Sequence, residues 1–145
     1  MKTLFTRDYL ECFFDEGPKV LFHVWKRKPT TAELKEGLTG VHTEFMNYKN
    51  QHGKLLHWLG DTRNLGVLSI DDQGWLEKVW NEMLFDKAGV KTHAVIIGTD
   101  VFAKYAMDKF KKNMQAKYGE NLHVDTFVDK DAAYKWFESI DKGTI

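Results

Sequence analysis

The side chains best equipped for chemistry fall in four short stretches. Asp61, Thr62, Arg63 and Asn64 stand together; Asp71, Asp72 and Gln73 follow, then Thr99 and Asp100, then Asp129. Carboxylates beside an amide and one guanidinium can grip a polar ligand or a protein surface. Oxygen ligands of this kind also suit a hard cation such as magnesium, but the spacing matches no calcium loop. No glycine-rich loop follows an apolar run, so phosphate cradling is not indicated. The six histidines, His23, His42, His52, His57, His93 and His123, lack the spacing of paired metal ligands. His57, inside an apolar run, reads as a hydrogen-bonded core residue. Ser69 is not set in a G-x-S-x-G turn. No base, orienting group and nucleophile fall together, so neither a catalytic residue nor a cofactor or metal is expected. A plainer account competes with any site: Asp71, Asp72, Asp100 and Asp129 sit where helix caps belong, and Arg63 can neutralise a neighbouring carboxylate.

Those stretches must be positioned by the elements around them. Tyr9 to Phe14 and Val20 to Trp25 are apolar runs of strand length joined by Asp15-Glu16-Gly17-Pro18-Lys19, which spells a β-hairpin. Pro29, Thr30 and Glu33 form a capping box. Leu34, Leu38, Val41, Phe45 and Tyr48 then make one helical stripe, closed by Gly53. Leu55 to Leu59 is a short strand run, broken at Gly60. A second helix begins between Ser69 and Asp72, carries Trp75, Leu76, Val79, Trp80 and Met83 on one side, and stops by Gly89. Ala94 to Ile97 reads as a strand covered on both faces. Thr99-Asp100 opens a third helix with Phe102, Ala106, Phe110 and Met114 inward and Gly119 as its stop. Leu122 to Val128 alternates as an edge strand does, and Asp129 caps a last helix bearing Ala133, Trp136, Phe137 and Ile140.

The order β-β-α-β-α-β-α-β-α predicts an α/β fold: a mostly parallel five-stranded single-layer sheet, an N-terminal antiparallel hairpin and about four helices. One domain spans 1–145. The strand-to-helix junctions then bring the polar stretches to the carboxyl edge of the sheet, where ligands of open α/β sheets usually lie.

Composition removes several function classes. The chain has 145 residues, with 21 basic and 21 acidic side chains, so its net charge gives no pull toward nucleic acid or an anionic membrane. The single cysteine, Cys12, excludes an internal disulfide and a multi-cysteine zinc site, and its apolar run marks it as a core residue. Charge interrupts Met1 to Asp8 where a signal peptide would be apolar. No apolar run approaches the roughly 20 residues of a membrane span. A cytoplasmic protein is expected. Ten Phe, five Tyr and five Trp imply a core of large side chains, or an aromatic patch held for a partner.

The stretches YLECFFDEGPKVLFHVWKR, TTAELKEGL, LLHWLGDTRNLGVLSIDDQGWLEKVW and HAVIIGTDVFAKYAMDKF resemble bacterial proteins grouped as STAS/SEC14-like, or SpoIIAA-like. The likeness covers nearly the whole chain, and D-T-R-N-L-G before a Trp-bearing helix is its most distinctive part. It implies a STAS-like α/β sheet that works through protein partners rather than by catalysis. Relatives of that kind are anti-sigma-factor antagonists and signalling modules, some switched by phosphorylation in a D-S-S-G-like segment. The equivalent here is Asp71-Asp72-Gln73-Gly74, which lacks the serines. The SEC14 side of the likeness implies a hydrophobic ligand, for which this chain is short of an enclosed lipid cavity.

The reading that follows is a non-enzymatic interaction or regulatory domain. Its partner-binding or ligand-binding residues are expected to be Asp61, Thr62, Arg63, Asn64, Asp72, Gln73, Trp75 and Asp100. Its rivals are a small-molecule or lipid sensor lined by Trp75 and Trp80, and an enzyme using Asp61 and Arg63. A homodimer is also expected. With helices on one face, apolar residues of the hairpin and third strand would be left to form a symmetric contact.

Overall fold

Turn chemistry at residues 16–19, with Lys19 in the left-handed region at φ 57°, folds β2 (Leu10–Asp15) back on β3 (Val20–Trp25) as an antiparallel hairpin. These elements belong to a computed structural model that describes residues 1–52, 56–119 and 121–143. β3 pairs in parallel with β4 (His57–Asp61), β4 with β5 (Thr92–Ile96), and β5 with β6 (His123–Phe127). The expected α/β architecture is the observed one.

Among the described residues the sheet has six strands instead of five. β1 (Lys2–Thr6) pairs antiparallel with β2 and takes the edge position expected for the first hairpin strand. Its register shifts between Thr3 and Phe5, and all its side chains are exposed or half-buried, so the alternation that announces a strand is missing. β4 also runs further than expected, through Gly60 and Asp61. The start of the expected run, Leu55, and the expected helix stop, Gly53, lie outside the described residues.

α1 (Thr31–His52) opens on the capping box: the Thr30 amide donates to Glu33 Oε1 at 2.9 Å and the Glu33 amide to Thr30 Oγ1 at 3.2 Å. Arg27 grips both Glu33 oxygens at 2.9 Å, and this fork holds the carboxyl down at about 2. Its stripe of Leu34, Leu38, Val41, Phe45 and Tyr48 is buried throughout. α2 (Ile70–Trp75) is capped by Ser69, whose Oγ accepts from the Asp72 amide at 3.1 Å.

Beyond Trp75 the same helix widens into two π-helical stretches, Leu76–Trp80 and Glu82–Lys87. Hydrogen bonding from i to i+5 brings residues five apart onto one side, which an ordinary α-helix would rotate away from each other. Trp75, Trp80 and Phe85 have that spacing. Trp75 stacks on Trp80, centroids 6.2 Å apart, and Trp80 and Phe85 reach the core while Val79 turns outward. Gly89, at φ 69°, ends the segment.

α3 (Val101–Tyr118) is capped by Asp100 and stopped by Gly119 at φ 86°. Its expected inward stripe needs correction. Met114 is buried and Phe110 half-buried against the core, but Ala106 is exposed and Phe102 is 88% exposed. Steps of four residues advance about 40° around a helix, so a 102-106-110-114 row winds off the core-facing side within two turns. Ala103 and Met107 are half-buried.

Because strand order follows chain order, right-handed crossovers place α1, the α2–π segment and α3 on one face. There they bury Leu10, Trp25, Phe45, Trp58, Trp80 and Phe85 in the larger core. The opposite face is covered from within the chain. α4 (Lys130–Asp141), capped by Asp129, lays Ala133 and Phe137 over Val20, Phe22, Leu59, Ala94 and Ile96. The premise of an open hairpin face awaiting a second copy therefore fails over those strands. The helix is also clamped: buried His57 Nε2 lies 2.9 and 3.0 Å from the Asp141 carboxylate, its Nδ1 lies 2.6 Å from Thr92 Oγ1, and its ring stacks on Phe137 at 4.4 Å.

Candidate functional site

The carboxyl edge of the parallel strands is where the polar stretches meet. Asp61 ends β4 nearly buried, and its carboxylate accepts from the Arg63 amide at 3.1 Å, Nε at 3.0 and 3.2 Å, and Nη2 at 2.6 Å. The fork pushes the Arg63 guanidinium above its ordinary range. Arg63 lies over Gly98, where a side chain would meet its Cγ and Cδ at about 3.5 Å; φ of 66° also favours glycine there. Thr62 gives both its amide and its hydroxyl to the Ile96 carbonyl at 3.0 Å, and the Ile97 amide reaches the Phe127 carbonyl at 2.9 Å. The loops after β4, β5 and β6 are thereby joined into one ledge.

Other expected site residues are occupied in holding the fold. Asp72 is buried and accepts from Thr31 Oγ1 at 2.8 Å, tying the start of α2 to the start of α1. Asp100 accepts from the amides of Phe102 and Ala103 at 2.9 and 3.1 Å. Gln73 donates to the Leu68 carbonyl at 2.8 Å. Trp75 is half-buried, with Lys35 Nζ 5.7 Å from its ring centre. Trp75 packs against the core and stacks on buried Trp80. Asn64 is exposed, as is nearly half of the Arg63 side chain.

Sequence reasoning missed what surrounds that ledge. Among the described residues, the exposed large apolar side chains are mostly those of Val67, Ile70, Val101, Phe102, Tyr105 and Val128. All six follow β4, β5 or β6 in loops or opening helical turns. The available signal was the i, i+1, i+4 grouping of Val101, Phe102 and Tyr105, which fits one outward face as well as an inward one.

A crevice opens in a doubly wound sheet where neighbouring strands send their helices to opposite faces. Here the crossovers after β3, β4 and β5 stay on one face, and the helices part only between β5, followed by α3, and β6, followed by α4. A cavity of about 490 Å³ lies away from this edge, lined by Met1, Lys2, Phe14, Glu16, Tyr48 and Gln51.

Two buried histidines share the larger core. His23 packs edge-on to Trp58 at 5.3 Å, and His93 stacks on Trp58 at 6.4 Å. Burial pushes His23 down to about 3, helped by His93, and His93 to about 4. Among the described residues neither Nδ1 has a hydrogen-bond partner. The Thr92–His57–Asp141 chain has the element types of a nucleophile, base and orienting acid, but Thr92 is buried under the sheet's own cover. It reads as a clamp. Among the described residues no helix is long and apolar enough to cross a membrane, and no three His, Cys, Asp or Glu converge on a metal-sized site.

No family model matches the chain, no curated protein matches it, and no solved structure matches it.

Proposed function

We propose that this chain is a non-enzymatic interaction domain of the cytoplasm that binds a protein partner through the carboxyl edge. The observation carrying this reading is the concentration of exposed apolar side chains there, with Phe102 at 88% and Ile70 at 86% exposure. Large apolar groups rimmed by polar ones mark contact surfaces. Arg63 and Asn64 supply the polar rim, and the hydrogen bonds joining the three loops hold that rim in place before any partner arrives. Exposed apolar side chains spread over the ends of three strands suit a macromolecule better than a small ligand, which is held by an enclosing pocket. The STAS side of the sequence resemblance, which implies action through protein partners, supports the same reading.

A photo-crosslinking residue placed at Phe102, with a second variant carrying it at Glu16 on the far edge, tests the proposal. In the native lysate, Phe102 should yield a discrete protein adduct and Glu16 should not. Equal adducts from both positions, or none from Phe102, would sink it.

A further inference from the structure

The face formed by α2, the π segment and α3 carries two complementary halves. Along the α2–π side, Ile70 and Val67 are exposed at the start, and Glu77, Glu82 and Asp86 are exposed further along, together with Lys78 and Lys87. Along α3, Val101, Phe102 and Tyr105 are exposed at the start, and Lys109, Lys112 and Lys117 further along. α3 holds five lysines against one aspartate, Asp108, and that aspartate is engaged by Lys104 at 2.8 Å. Neutral net charge conceals this imbalance: exposed Asp71, Glu77, Glu82 and Asp86 outnumber Lys78 and Lys87 on one side, and lysines outnumber Asp108 on the other.

The offsets match. Glu77 and Glu82 lie seven and twelve residues after Ile70, the first residue of α2; Lys109 and Lys112 lie eight and eleven after Val101, the first of α3. Both segments run back from the carboxyl edge in the same direction, so the charges stand about 10 to 16 Å along each axis, the π stretch rising less per residue than an α-helix.

We infer that a second copy of this chain docks on this face about a two-fold axis parallel to α2 and α3. Such an axis sets each α3 over the partner's α2–π segment with both helix starts at one end. Val101, Phe102 and Tyr105 then meet the partner's Val67 and Ile70, while Lys109 and Lys112 meet the partner's Glu77 and Glu82. An isologous interface requires a surface complementary to itself under rotation, and this face meets that requirement. The inference rests on the reading of the edge as a contact surface and names the partner for its α3 side.

Sedimentation of the full chain across concentration tests it. A reversible species of twice the 16.9 kDa chain mass is expected at low salt, its dissociation constant rising about tenfold or more between roughly 50 and 500 mM salt as the charges are screened. The variants Lys109→Glu/Lys112→Glu and Glu77→Lys/Glu82→Lys alter exposed positions only, and circular dichroism confirms that each folds. Each alone should be monomeric, and mixing the two should restore a dimer. A wild-type monomer at every concentration overturns the inference, as does a dimer that either charge reversal leaves intact or that mixing fails to restore. A monomer that sediments with phosphatidylserine vesicles also overturns it, in favour of a lipid surface. If the protein is monomeric but Phe102 still crosslinks a foreign protein, the second copy is refuted and the interaction role stands. If both experiments fail, the edge is not a contact surface.

Discussion

Gly60 lies directly beneath the His23 ring: a Cβ on Gly60 would stand 2.8 Å from both Cε1 and Nε2 of that imidazole. The ring cannot yield, since Trp25 and Trp58 flank it at 6.2 and 5.3 Å. Gly60→Ala should therefore destabilise the fold by about 1 to 3 kcal/mol through overpacking. Adding His23→Ala should relieve part of that loss, so the double variant should lose less than the sum of the singles. Strictly additive denaturant midpoints would show that the contact does not govern this site.

Acid should weaken the fold through the same ring and its neighbour. Burial lowers His23 to about 3 and His93 to about 4, against about 6.5 in an unfolded chain. A histidine held neutral in the folded state gives its full stabilisation above the unfolded value. Below about pH 6.5 the unfolded chain takes up protons that the native core refuses. Unfolding free energy should fall between about pH 6.5 and 4, by up to roughly 1.4 kcal/mol per pH unit for each ring. His93→Phe, placed among Trp58, Phe85 and Phe110, should remove its share of that slope. A pH-independent midpoint across this window would contradict the assignment.

Arg63 and Leu38 separate two kinds of support. Leu38 belongs to the buried stripe of α1, and its truncation to alanine should cost roughly 2 to 5 kcal/mol. Arg63→Ala should cost less, about 1 to 3 kcal/mol, because it strips the guanidinium from a nearly buried carboxylate and leaves one backbone amide as its donor. Asp61→Asn combined with Arg63→Ala should recover part of that loss. If Arg63→Ala leaves thermal unfolding unmoved, the pair is a solvated ornament and Arg63 is free to serve a partner alone.

The helix at Ser69 should not act as a phosphoserine switch. Ser69 Oγ is committed to the Asp72 amide at 3.1 Å, and Asp71 already sets negative charge at that helix start. Intact mass of the protein from its native cells should show no stoichiometric phosphate at Ser69. Ser69→Ala should cost about 1 kcal/mol by loss of the cap. A full phosphate there, coupled to changed partner binding, would mean that the modification displaces the cap.

What the amino-acid order determined unaided is local. The hairpin, the Thr30–Glu33 box, the α1 stripe, the caps at Ser69, Asp100 and Asp129 and the stops at Gly89 and Gly119 each depend on residues a few positions apart. Backbone geometry at that range is fixed by sterics and short hydrogen bonds, so residue type and spacing suffice to read it. Tertiary structure decided the rest, because the deciding partners are remote in sequence. Asp72 meets Thr31 at 41 residues' separation, and His57 meets Asp141 at 84. Trp75, Trp80 and Phe85 align only because the helix opens to π geometry against the core. Phe102 has the same apolar character as Phe110, yet one faces solvent and the other the core. Helix rotation against the sheet separates them, and no property of a phenylalanine records which way its helix will turn.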